Sequence, residues 1–145
     1  MWDSLHKINP AMYKISISID AANENTYRLN RRGGNFKILL ENLEFIKKLR
    51  NSEDIKQFYL LFVVQKNNYK EMTIFVELGK KFNCDNAAFS KIRNWGTYTK
   101  KEYSEIAVHE KSHPEHRDLL EILKNPIFKD PFAFMIDLNP LLHEK

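Results

Sequence analysis

Hydrophobic and polar positions alternate with period two over residues 13–19, placing Ile15, Ile17 and Ile19 on one face and Ser16, Ser18 and Asp20 on the other. That pattern predicts a strand with an apolar face that needs a cover and a polar face that ends in a carboxylate. From Phe36 the apolar residues are Phe36, Leu39, Leu40, Leu43, Ile46 and Leu49, the spacing of an amphipathic helix. Phe58 to Val64 is a near-continuous apolar run, which predicts a strand buried on both sides. Helical spacing returns over Tyr69 to Phe82, with Met72, Phe75, Val76 and Gly79 on one side. Ala87 to Ile92 reads as a third strand and ends in Arg93-Asn94-Trp95-Gly96.

Caps and breakers divide these elements. Asn23 predicts an N-cap for a short helix through about Arg31, Gly33-Gly34 a helix-terminating turn, and Asn35 the cap of the next helix. Thr99-Lys100-Lys101-Glu102 and Ser112-His113-Pro114-Glu115 both fit the capping-box pattern, with Pro114 at a first helical position. They predict helices near 100–108 and 114–124. Phe132 to Ile136 is read as an edge strand or a docked turn. Strands alternating with helices predict a parallel sheet with right-handed crossovers, whose ligands bind beyond the carboxyl ends of the strands. Polar residues gather at those ends: Ser18 and Asp20, Gln65 and Asn67, and Asn94.

Composition narrows the classes. The chain has 145 residues, 43% hydrophobic and 29% charged, which fits one soluble globular domain. The net charge of +4 comes from 23 basic residues interspersed with 19 acidic ones, the pattern of solvated helix faces and not of a nucleic-acid stripe. One cysteine, Cys84, rules out an intramolecular disulfide and fits a reducing compartment. No apolar run reaches the ~20 residues of a membrane span. The N-terminus does not read as a signal peptide, so cytoplasm is the expected location. His109, His113 and His116 do not follow a common zinc spacing.

Several segments carry a resemblance. Ile17-Ser18-Ile19-Asp20-Ala21-Ala22, Arg31-Arg32-Gly33-Gly34-Asn35-Phe36 and Glu41-Asn42-Leu43-Glu44-Phe45-Ile46 come first. Phe62 through Met72, Arg93-Asn94-Trp95-Gly96-Thr97-Tyr98 and His113-Pro114-Glu115-His116 follow in order. Together they resemble the middle of radical S-adenosylmethionine (SAM) enzymes related to the SPASM-type peptide and sugar modifiers, from about residue 13 onward. The resemblance implies an α/β fold, an incomplete radical SAM (partial TIM-type) barrel with three parallel strands and flanking helices. A single domain over 1–145 would hold strands near 13–19, 58–65 and 86–92, the family's fourth to sixth, and a helical C-terminal segment 100–145. Complete relatives bind SAM and a 4Fe–4S cluster through a CxxxCxxC loop and cleave SAM to a radical. This chain has no such motif, and one cysteine cannot ligate the cluster.

The resemblance implies cofactor-binding roles for Ser18, Asp20, Arg31, Gln65 and Asn67. Ser18 and Asp20 match a segment near the SAM ribose, and Arg31 matches an arginine that pairs with the SAM carboxylate, a bond its forked donors suit. Gln65, Asn67 and Asn68 follow the fifth strand, with the inward-pointing one left open by register. The expectation is a C-terminal fragment of a radical SAM enzyme, inactive alone, whose partner is a missing N-terminal half-barrel or a second copy at a free sheet edge. The rival reading is a cluster-less nucleotide- or partner-binding module without catalysis.

Overall fold

The computed structural model describes residues 14–143. Strand β1 spans Lys14–Ser18, helix α1 Glu24–Asn30, helix α2 Phe36–Asn51 and strand β2 Gln57–Val64. A 3-10 turn at Tyr69–Glu71 leads into α3, Met72–Lys81, and then β3, Asn86–Lys91. Helices α4, Lys100–Ile106, and α5, His116–Leu123, precede a 3-10 turn at Pro126–Lys129, strand β4 at Ala133–Met135 and a last 3-10 turn at Asn139–His143. Tyr13, expected to open the first strand, lies outside the described residues.

The caps explain the helix starts. Asn23 accepts the Thr26 N–H at 3.0 Å and Asn35 the Ile38 N–H at 3.1 Å. Thr99 and Glu102 form the expected capping box at α4. The second box does not form. His113 Nδ1 accepts the Glu115 N–H at 3.1 Å, Glu115 accepts from the Tyr69 hydroxyl at 2.8 Å, and α5 starts two residues late, at His116. Gly33 terminates the α1 turn at φ +77°, a backbone angle that favours glycine.

The sheet is parallel throughout, in the order β1-β2-β3-β4. It has four strands where the sequence predicted three. The fourth comes from the ambiguous Phe132–Ile136 run, whose Ala133, Phe134 and Met135 pair with Ala87, Ala88 and Phe89. The segment 100–145 is therefore not wholly helical. With three residues and Pro131 just before it, β4 has too short a pattern to separate a strand from a docked turn.

One face of the sheet carries the core. Ile15, Ile17, Ile19, Phe58, Leu60, Phe62, Val64, Ala87, Phe89, Ala133 and Met135 pack with Leu43, Leu49, Met72, Phe75, Val76, Leu119 and Leu123 from the helices. Phe62 lies 4.7 Å from Phe75 and Phe89 5.9 Å from Phe128, centroid to centroid. Gly79 lets α3 approach closely, because a Cβ there would stand 3.0 Å from the Phe132 ring. The other face bears Ser16, Ser18, Tyr59, Leu61, Ala88 and Phe134, none of which joins that core. The apolar run of β2 is thus buried on one side only, with Tyr59, Leu61 and Val63 half-buried. A continuous apolar run reports that its residues suit burial, not that a covering layer is present.

Candidate functional site

Beyond Ser18 the chain leaves the strand. Ile19 N–H still reaches the Leu61 carbonyl at 3.0 Å, and Asp20 then adopts φ +59°, the left-handed region that Asp tolerates better than most residues. This twist sends the Asp20 side chain back into the sheet end instead of out along the polar face. Asp20 is only 8% exposed, where the alternation placed it with Ser16 and Ser18 on the polar face of the strand. Its Oδ1 accepts the Val63 N–H at 2.7 Å, and its Oδ2 accepts from Arg31 Nη2 at 2.5 Å. The same Arg31 nitrogen donates to Ser18 Oγ at 2.6 Å, and that hydroxyl donates to Asp20 Oδ1 at 3.3 Å. Burial pushes the Asp20 carboxyl above the usual carboxylate range, against the Val63 N–H, the Arg31 charge and the Ser18 hydroxyl, which pull it down.

Of the five residues singled out, the fold therefore joins Ser18, Asp20 and Arg31 directly. Asn67 reaches the group at one remove: its amide donates to Asn30 Oδ1 at 2.5 Å, and Asn30 donates to the Asp20 carbonyl at 2.6 Å. Gln65 takes part through its main chain, its N–H donating to Asn68 Oδ1 and its carbonyl accepting from the Asn68 and Tyr69 N–H groups.

Asn68 is the residue of the three that turns inward. It is 1% exposed, and its Nδ2 donates to the Asp20 carbonyl at 3.0 Å and the Val63 carbonyl at 2.9 Å. Glu71 also belongs here. It accepts the Ala22 N–H at 2.6 Å and the Thr26 hydroxyl, tying the loop after β1 to the start of α3. Neither role has a signal in the sequence, since Asn68 is fixed by main-chain groups at the ends of β1 and β2 and Glu71 by the loop after β1 and the Thr26 hydroxyl, both more than forty residues away along the chain.

A second feature lies at the carboxyl end of β3. A cleft of about 500 Å³ opens between Val63, Ser90, Arg93, Trp95, Tyr98 and Asp137. Asn94 orders its rim, accepting the Gly96 and Tyr98 N–H groups and donating to the Tyr98 carbonyl. Trp95 stands 81% exposed on that rim, and Arg93 pairs with Asp137 at 2.7 Å.

The buried histidines are structural where their partners are visible. His113 Nε2 meets the Glu105 carbonyl and His116 Nδ1 the Val108 carbonyl, each at 3.2 Å. Among the described residues no group of three His, Cys, Asp or Glu side chains is placed to hold a metal ion. Cys84 is buried, and burial beside Asp85 pushes its thiol up to about 12. It precedes β3, at the opposite end of the sheet from the polar cluster. The residues present do not fit an iron–sulfur cluster.

His109 is different. Neither ring nitrogen has a hydrogen-bond partner among the described residues, although Glu110 Oε1 lies 3.2 Å from Nε2. Burial holds its pKa below the ordinary value and Lys91 adds to this, while Glu110 and Asp137 oppose. The Tyr103 ring packs against it edge-on. The depressed pKa means the fold prefers neutral His109. Its contribution is complete above the unfolded value of about 6.5 and is lost as pH falls through the lower folded value, with a slope of at most ~1.4 kcal/mol per pH unit. Urea midpoints taken from pH 7.5 down to 5 should fall less in His109→Leu than in wild type. Parallel curves would count against a titrating His109.

No family model, no curated protein and no solved structure matches this chain. Among the described residues no helix is long and apolar enough to cross a membrane.

Proposed function

We propose that this chain is the C-terminal portion of a radical SAM-type barrel, carrying part of the SAM-binding wall but not the cluster loop, and without catalytic activity alone. The observation that carries this reading is the winding. All four strands are parallel and neighbour one another in sequence order, and the buried helix residues share one core with one sheet face. Right-handed crossovers that always advance in one direction put every helix on the same side, which is how a closed barrel is built. A doubly wound sheet reverses direction and covers both faces.

The polar cluster lies at the carboxyl ends of β1 and β2, where barrel folds place their ligands. Arg31 is half-exposed, so its guanidinium can present further donors to a ligand carboxylate while Asp20 and Ser18 fix its position. Asp20 has its carboxylate engaged internally, and in this reading it positions Arg31 and the loop before α1. Asn67 and the Ser18 hydroxyl supply neutral polar contacts. When bound to a complete protein, SAM supplies the reactive methionine–adenosine group, and these residues hold and orient it.

The alternative, a cluster-less binding module, draws on the 500 Å³ cleft beneath Trp95, large enough for a small ligand without a second half. Calorimetry with SAM separates the two. The chain alone should give no measurable heat. Mixed or fused with the CxxxCxxC-bearing N-terminal half of a complete radical SAM enzyme, it should bind, and Arg31→Ala should weaken binding at least about tenfold, or ~1.4 kcal/mol. Micromolar binding by the isolated chain would favour the alternative, and no binding by a folded mixture would overturn the barrel reading.

A further inference from the structure

We infer that, without a complementary half, a second copy of this chain closes the barrel, β4 of each copy pairing with β1 of the other. This rests on the barrel reading above and names the occupant of the uncovered face. Strand count is the first support. A parallel barrel of this winding closes at eight strands, and the described residues supply four. Among the described residues β1 pairs only with β2, and β4 only with β3, so the two outer edges are both unpaired and their strands run in the same direction. A two-fold axis along the barrel would satisfy both edges at once and leave nothing to propagate.

The side chains on the uncovered face give independent support. In register across the sheet stand Ser18, Leu61, Ala88 and Phe134: small, large, small, large. In the flanking rows Ser16 on β1 stands beside Tyr59 on β2 and Ser90 on β3 beside Val63 on β2, while Asn86 on β3 and Lys14 at the start of β1 share the same face and give it a polar end. A closed eight-stranded barrel fills its interior with layers of four side chains drawn from alternate strands. Two copies would turn Leu61 and Phe134 of each toward one shared interior, where Ser16, Ser18, Ala88 and Ser90 leave them room. In the single chain Phe134 is 53% exposed, and a groove of about 280 Å³ runs between it, Leu61, Tyr59 and Lys14. The face is apolar at its centre and polar at its rim, the anatomy of an interface.

The assembly has a defined size, which separates it from edge-driven aggregation. Light scattering on the full chain from low micromolar to several hundred micromolar should give twice the 17.3 kDa chain mass and stop there. Phe134→Lys changes a side chain already exposed in the single chain, so it should leave the circular dichroism unchanged and shift the mass to one chain. Ile74→Lys, on the exposed side of α3, should leave the doubled mass intact. A single-chain mass at every concentration, a ladder of masses beyond two, or a doubled mass that survives Phe134→Lys would each overturn the inference. The barrel reading is tested apart from it. A monomeric chain that still gains SAM binding with a complementary half loses only the homodimer, whereas a chain that does neither loses both.

Discussion

Asp20→Ala is expected to lower the unfolding free energy by about 2–3 kcal/mol, reading as a lower urea midpoint at unchanged slope. The substitution leaves the Val63 N–H without its acceptor and Arg31 without its counter-ion, in a site where Asp20 itself is nearly buried. It also puts alanine at φ +59°, a backbone region that costs Ala more than Asp. Arg31 is half-exposed, so its lost pairing counts for less than in a closed interior. Asp20→Asn is the informative partner. Asn tolerates the same backbone and keeps an acceptor for Val63, and a carboxyl already pushed upward by burial loses less on becoming neutral. Its midpoint should lie much nearer wild type than alanine's. If the two variants were equally destabilised, the charge of Asp20 would matter more than its geometry.

Asn68→Ala should cost as much or more, about 3 kcal/mol, because the one side chain satisfies three main-chain groups. Those groups are the Asp20 and Val63 carbonyls and the Gln65 N–H, and all three lie where β1 and β2 end. Asn68→Asp keeps the acceptor for Gln65 but replaces two donors with a carboxylate facing two carbonyl oxygens. It should be worse than alanine near neutral pH and improve relative to it as pH drops and the carboxyl protonates. Chemical denaturation of both variants at two pH values checks the ordering. An Asn68→Asp variant as stable as wild type would remove Asn68 from its role as the clamp of the site.

These two residues show where sequence reading succeeds and where it stops. Ser18 and Asp20 are legible as a polar pair because strand-end position follows from pattern alone, whereas Arg31, at the end of α1, is singled out only through the resemblance, and the three do meet. The inward turn of Asp20 is not legible, since it is fixed by the Val63 N–H, a group from another strand. Asn67 and Asn68 are neighbours of identical type, and only the 3-10 turn at Tyr69–Glu71 decides that Asn68 faces in. The helices of strong period and clear caps appear within a residue or two of their expected bounds. α5 misses its expected start because His113 and Tyr69 take the groups its capping box needed. β4 was ambiguous because three residues carry too little pattern, and its strand identity comes from pairing with β3.

The sequential strand order also bears on how the chain is made. Each strand lies beside the one synthesised just before it, and none has to insert between two that are already paired. Parallel pairing demands long crossovers and slow closure of distant contacts. Here that demand is met one unit at a time, so the direction of synthesis and the direction of sheet growth coincide. Among the described residues, the outer edge of β1 is therefore the first pairing surface to emerge during translation, and no later strand of this sheet occupies it.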